Sequence, residues 1–303
     1  MGRIIRIGTR DSELALWQAR TVQNHLRDLD YNTALVPVKS TGDIILDKPL
    51  YELGITGIFT KTLDVAMING DIDIAVHSMK DVPTALPKGI VEAAILKRAN
   101  VSDILVHKGV NFLENDGTIA TGSLRRKAQW LHKYPTHAVV DLRGNVNTRM
   151  QKLQDSNWNG AIFAAAGLER IDLKPENYID LNWMVPAPAQ GAMLVVAKDD
   201  DVYCKEALAH LNHKPSEICV HIERAFLREL EGGCTAPIGA LATLENDAIL
   251  FRGALFSLDG QHKIEVIKKV KIGEEQNFGQ NCAREILNNG GKELMSKIKK
   301  NLK

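Results

Sequence analysis

The stretch TIATGSLRRKAQWLHKYPTHAVVDLRGNVNTRMQKLQDSNWNGAIFAAAGL, residues 118–168, alternates between two periodicities. TIATG (118–122), HAVVDL (137–142) and GAIFAAAGL (160–168) are short apolar runs that read as buried strands. Between them, SLRRKAQWLHKY (123–134) and NTRMQKLQ (147–154) repeat their apolar residues at helical spacing. Strand and helix in alternation predict a parallel sheet with helices on both faces. The same series occurs upstream. RIIRIGT (3–9) reads as a strand, and Asp11 or Ser12 can cap a helix that places Ala15, Ala19, Val22 and Leu26 on one face. TALVPVK (33–39) then reads as a strand, IFTKTLDVAMIN (58–69) as a helix ended by Gly70, and IDIAVHSM (72–79) as another strand. Two similar α/β units in tandem are expected, without a residue-level repeat.

From about residue 213 the texture changes to a capped helix, a Gly-rich turn at EGGC, alternating strands such as AILFRGALFS (248–257) and a Lys-rich C-terminal helix. This predicts a third, smaller α+β domain. VPAPAQGAM (185–193), with two prolines and no helical period, is the expected passage between domains. A chain of 303 residues suits two or three such domains. Its 45% hydrophobic and 25% charged residues exclude wholesale disorder, collagen and coiled coil. The net charge of +1 leaves no bulk field to hold nucleic acid or an anionic membrane, so any anion must be met by a local cluster. No apolar run approaches the roughly 20 residues of a membrane span, and MGRIIRIGTRDSE has no secretory pattern, so a cytoplasmic protein is expected. Cys204, Cys219, Cys234 and Cys282 form no C-x-x-C pair, which argues against a disulfide framework. The order Cys204, His210, His213, Cys219 matches no ordinary zinc spacing, and no metal site is expected.

Ligands of open α/β sheets bind beyond the carboxyl ends of the strands, and a cleft between two such units would collect those loops. Arg10, Arg125, Arg126, Arg143, Arg149 and Arg170 all fall there. Arg125 and Arg126 stand in the first turn of a helix, where the macrodipole disfavours cations unless an anion is present. The six arginines suit a ligand with several carboxylates or phosphates; the alternative is a set of arginines paired with neighbouring acids. HSMKDVP (77–83) places Lys80 and Asp81 at a strand end, Asp81 being either a catalytic carboxylate or a turn former. Cys234, in EGGCTAPIG, is either a thiol held at a loop tip or a small buried residue.

Taken in order, GTRDSELALWQA (8–19), HSMKDVP (77–83), TGSLRRKAQ (121–129), LRGNVNTR (142–149), AAGLER (165–170), PAQGA (188–192) and LEGGCTAPIG (230–239) resemble the porphobilinogen deaminase, or hydroxymethylbilane synthase, family across nearly the whole chain. The resemblance implies two doubly wound domains like the lobes of periplasmic binding proteins, plus the smaller α+β domain. Expected boundaries are 1–97 with 191–210, then 98–190, then 213–303. It implies a transferase of tetrapyrrole and haem biosynthesis that joins four porphobilinogen molecules head to tail, releasing ammonia, and hydrolyses off hydroxymethylbilane. It further implies a dipyrromethane cofactor attached by a thioether to Cys234, with Asp81 as the catalytic carboxylate. Lys80, Ser78, Thr121, Ser123, Arg125, Arg126, Arg143, Arg149 and Gly167 match cofactor-binding positions. Arg10, Ser12, Gln18, Phe59, Arg143, Arg149, Arg170 and Gln190 match substrate-binding ones. A cytoplasmic monomer, with no nucleic-acid or membrane partner, is implied.

The sequence departs from the family pattern at Gly122, where a second Ser is common, at Thr56 and Thr62, often Lys and Glu, and at Asp11 after Arg10. The rival reading from another class is a non-catalytic binding protein that captures a polycarboxylate with the same arginines; it leaves Cys234 without a role.

Overall fold

The computed structural model describes residues 2–39, 60–230 and 236–302. In chain order the elements begin with β1 (Ile4–Thr9), α1 (Glu13–Asp28), β2 (Asn32–Pro37), α2 (Lys61–Ile68), β3 (Ile74–Ser78), β4 (Ile90–Ile95) and β5 (Asp103–His107). There follow β6 (Thr118–Ala120), α3 (Leu124–Lys133), β7 (Ala138–Val140), α4 (Val146–Asp155), β8 (Gly160–Ala164), α5 (Ala165–Glu169), β9 (Tyr178–Asp180) and β10 (Met193–Lys198). The remainder is α6 (Val202–Ala209), α7 (Lys214–Glu229), β11 (Ile238–Glu245), β12 (Ala248–Phe256), β13 (Lys263–Lys271), α8 (Phe278–Ile286) and α9 (Lys292–Asn301).

The chain divides into two compact units. Among the described residues, one comprises 2–39, 60–99 and 191–218, and the other 100–190, 219–230 and 236–302. The first is built on a five-stranded sheet of order β2-β1-β3-β10-β4. Its alternating side chains face opposite layers. Ile5 and Ile7 of β1 join Ala19, Val22 and Leu26 of α1 and Cys204, Ala207 and Leu208 of α6 in one core. On the opposite face a Cβ at Gly8 would lie 3.1 Å from Leu63 of α2. The apolar positions at i, i+4 and i+7 of α1 are therefore the stripe it buries.

The second unit carries a five-stranded sheet of order β7-β6-β8-β5-β9 and a three-stranded sheet β11-β12-β13. The two five-stranded sheets repeat one plan. In the first, β2, β1 and β3 are parallel and β10 and β4 alternate in direction; in the second, β7, β6 and β8 are parallel and β5 and β9 alternate. The expected parallel pairing holds for three strands of each sheet, while β10 runs antiparallel to β3, and β5 antiparallel to β8. Neither strand is reached through a β-α-β crossover within its own sheet, because β5 follows β4 and β10 follows β9, each a strand of the other sheet, so handedness does not force it to be parallel.

A correction falls in GAIFAAAGL. Only Gly160–Ala164 is strand, and Ala165–Glu169 turns into helix α5, because an apolar run of small residues satisfies either period. The Lys-rich C-terminal helix is two helices, α8 and α9, separated at Gly290, whose φ of 97° breaks the α geometry. The stretch 185–193 is held firmly: Gln129 Nε2 donates to Val185 O (2.9 Å), Val185 N donates to Gln129 Oε1 (2.7 Å), and Ala240 N donates to Pro186 O (3.0 Å). In the three-stranded sheet, antiparallel β12 carries Phe251 against Phe226 of α7, ring centroids 5.1 Å apart.

Candidate active site

In the first unit, the carboxyl ends of parallel β1 and β3 bring two groups of polar residues to one sheet edge. Thr9 is fully buried at the end of β1, and its hydroxyl donates to Ala15 O (3.0 Å), fixing the step into α1. Ser12 is the N-cap residue of α1, with extended φ/ψ, but its hydroxyl makes no capping bond to the helix. Arg10 is partly buried and acts electrostatically on His77 of β3. Burial, with Arg10 adding to it, pulls His77 down to about 4, so the imidazole is neutral at pH 7. Gln18 is buried on α1 and donates from Nε2 to Ser78 Oγ (2.9 Å), which joins α1 to the end of β3.

Beyond Ser78 the chain enters a 3-10 turn, Met79–Asp81. Met79 and Val82 are buried anchors on either side of the partly buried Lys80 and Asp81. Met79 N donates to Ala192 O (3.0 Å) and Val82 N to Met79 O (3.1 Å), so the position of Asp81 is set by backbone bonds at both ends of the turn. Phe59 lies outside the described residues.

In the second unit, the carboxyl ends of β6, β7 and β8 lie side by side. Arg125 and Arg126 follow β6, Arg143 and Arg149 follow β7, and Arg170 follows β8. Ser123 caps α3 by accepting from Arg126 N (3.4 Å), and buried Thr121 accepts from Ser123 N (3.3 Å). Asn145 caps α4 by accepting from Thr148 N (2.9 Å), which orients the helix bearing Arg149. Gly167 lies within α5, one turn before Arg170. Gly122 has a local reason: a Cβ there would stand 2.6 Å from Leu142 O, so the loop after β6 approaches the backbone just before Arg143.

The anion that the macrodipole argument required at α3 is part of the chain. Asp103, fully buried, accepts from Arg125 Nη1 (2.7 Å) through Oδ2 and from Arg126 Nε (2.9 Å) through Oδ1. Gln190 Nε2 donates to the same Oδ1 (3.0 Å) and to Val101 O (2.8 Å). Burial pushes Asp103 up, but the charges and bonds of Arg125, Arg126 and Gln190 outweigh it and hold the carboxyl well below the usual carboxylate range. Gln190 is itself placed by its neighbour: Ala189 adopts φ 61° and donates from N to the buried Glu223 Oε2 (2.6 Å).

Arg143 and Arg170 are in a different electrostatic state. Burial lowers the Arg143 guanidinium despite Asp141, and lowers Arg170 to about 10 despite Glu169. A desolvated cation of this kind is stabilised by any carboxylate that reaches it. Cys234 lies outside the described residues, as does Thr56. The described cysteines, Cys204, Cys219 and Cys282, are all buried, and burial pushes Cys204 up to about 12 and Cys282 to about 11, which makes those two inert thiols at neutral pH. Asp103 and Glu223 were missed in the sequence. The available signal for Asp103 was a charged residue opening the apolar run ILV.

Comparison with known proteins gives these positions their context. Residues 5–206 match the family described as porphobilinogen deaminase, dipyromethane cofactor binding domain, and residues 217–288 match its C-terminal domain. The chain belongs to the porphobilinogen deaminase family. The porphobilinogen deaminase of Pelotomaculum thermopropionicum is 39% identical, with 99% of this chain and 98% of that protein covered. That of Moorella thermoacetica is 41% identical over 97% of this chain and 96% of the relative. Among solved structures, a periplasmic substrate-binding protein of an ABC transporter from Coxiella burnetii is 14% identical at a TM-score of 0.44, covering 72% of this chain and 94% of that one. The methionine binding protein MetQ is 14% identical at a TM-score of 0.42, covering 69% and 89%.

Proposed function

We infer that this chain is a transferase that polymerises four porphobilinogen molecules head to tail on a covalent dipyrromethane primer, with loss of ammonia at each condensation, and releases hydroxymethylbilane by a final hydrolysis whose water supplies the hydroxyl. The observation that carries the reading is the run of arginines along one sheet edge, two of them lowered by burial, in a chain matched to a family defined by a dipyrromethane cofactor. Each pyrrole of that cofactor brings an acetate and a propionate, so it presents four carboxylates, and planar guanidinium donors are the residue type that fits them. When bound at Cys234, the cofactor supplies the pyrrole α-carbon to which the first substrate is joined.

The residues divide the remaining work. Arg125, Arg126, Ser123 and Thr121 hold cofactor carboxylates, with Ser78, Lys80 and Gly167 completing its surroundings. Arg10, Ser12, Arg143, Arg149 and Arg170 bind the carboxylates of incoming substrate, while Gln18, Phe59 and Gln190 support that site. Asp81 accepts pyrrole N–H bonds, stabilises the positive charge left as the aminomethyl nitrogen departs, and receives the proton released when the new carbon–carbon bond forms. The domains are proposed to be 1–97 with 191–210, 98–190 and 213–303, in a cytoplasmic monomer.

Asp81→Ala separates this reading from a polycarboxylate-binding protein. Turnover of porphobilinogen is expected to fall by about a hundredfold or more, while the covalent increment on Cys234 remains. Substantial residual turnover would assign the proton work to another group.

A further inference from the structure

We propose that Asp103 is a positioning residue of this enzyme: it aims the Arg125 and Arg126 guanidinium groups at the carboxylates of the bound pyrroles. This rests on the functional reading above. Asp103 opens β5, and because β5 is antiparallel to β8, in register Asp103 to Ala164, its first residue reaches the edge where β8 ends. Each guanidinium is gripped from two sides. Arg125 Nη1 donates both to Asp103 Oδ2 (2.7 Å) and to Val185 O (2.8 Å). Arg126 donates from Nε to Asp103 Oδ1 (2.9 Å) and from Nη1 to Ile162 O (2.9 Å), and its Nη2 lies 2.8 Å from Oδ1. The carboxylate is fully buried and the arginines are 5% and 6% exposed, so little solvent competes for these bonds. Arg126, held at Nε, Nη1 and Nη2, cannot turn in its plane, and the two bonds at Arg125 Nη1 fix that nitrogen between β5 and Val185, so Asp103 sets where both guanidinium groups lie.

Charge counting and positioning predict opposite outcomes. Two arginines and one aspartate sum to +1; neutralising the aspartate raises this to +2, which by charge alone tightens the hold on a polycarboxylate. Positioning predicts weaker binding. An asparagine offers one carbonyl oxygen and an NH2 group, so one guanidinium meets donors in place of an acceptor and turns away.

The test uses full-length wild-type, Asp103→Asn and Asp103→Glu chains, each first freed of covalent pyrroles and then incubated with graded hydroxymethylbilane or porphobilinogen. Intact mass under denaturing conditions reads the fraction that gains the two-pyrrole increment, and the melting temperature before incubation reads folding. Asp103→Asn is expected to need about tenfold more pyrrole donor for half-loading, the effect of losing one oriented charge-assisted contact. Asp103→Glu keeps the charge and the compensation of the arginines but moves the carboxylate by one methylene. It is expected to fold and to load less readily than wild type, where a purely electrostatic role would be fully rescued. If Asp103→Asn does not fold, Asp103→Glu decides. A folded variant of either kind that loads at the wild-type concentration overturns the proposal. Failure of the wild-type chain itself to gain the increment overturns the functional reading, and this proposal with it.

Discussion

The second unit holds its arginines in two different ways. Arg125 and Arg126, after β6, are matched by a carboxylate from within the chain, and each also donates to a backbone carbonyl. Arg143, after β7, and Arg170, after β8, have their guanidinium groups lowered by burial, with Asp141 and Glu169 offsetting only part of it. The first pair is a rigid fixture half of whose charge is compensated before any ligand arrives. The second pair gains most when a carboxylate binds. On the proposed reading, arginines that look alike in sequence serve one reaction differently: one group fixes direction, and the other supplies attraction.

Replacing one member of each group with leucine sharpens this contrast. Arg126→Leu strips the fully buried Asp103 of part of its compensation, and is expected to cost about 3 kcal/mol or more of folding stability, measured by denaturant unfolding. Arg143→Leu removes a cation that burial already disfavours. Its melting temperature should fall less than that of Arg126→Leu, while KM for porphobilinogen increases about tenfold to a hundredfold, as expected for one charge-assisted carboxylate contact. Equal losses of stability in both variants would erase the distinction.

The first unit shows a third answer to buried charge, in which the proton is given up. His77 falls to about 4 from an ordinary 6.5, so the unfolded chain binds more protons between those values and stability declines as pH falls through them. The full window is worth about 3 kcal/mol, and a His77→Phe variant should show a correspondingly flatter pH dependence of unfolding. Asp73 behaves in the usual carboxylate sense: its bonds from Arg6 and Arg3 outweigh burial and hold it near 2, so its contribution is present above the ordinary value of 3.8 and is lost as pH falls through about 2. The smallest expected effect is that of Gly122→Ala, whose Cβ must displace the Leu142 carbonyl and with it Arg143. It should raise KM less than Arg143→Leu does and leave Asp103 and its partners intact.

Much of this arrangement was legible in the residues. Ala15, Ala19, Val22 and Leu26 are buried as their spacing requires, and the strands and helices that carry the arginines fall within a few residues of their expected limits. The reading stopped where the chain reverses direction. Nothing local shows that Asp103 begins an antiparallel strand, and no local pattern links it to Arg125, 22 positions further on. The role of Glu223 depends on a left-handed Ala189 in another element, a backbone state that alanine does not advertise. The helical turn at Ala165 was hidden because Ala-rich segments suit either period.

The most direct test of the whole account is the intact mass of the denatured chain and of its Cys234→Ala variant, each measured after incubation with porphobilinogen. The account predicts an increment of two porphobilinogen units less two ammonia on the wild-type chain, mapped to the Cys234 peptide and absent from the variant. A wild-type chain that stays unmodified after that incubation, while still binding the pyrrole non-covalently, would contradict the assignment and leave a polycarboxylate-binding protein in its place.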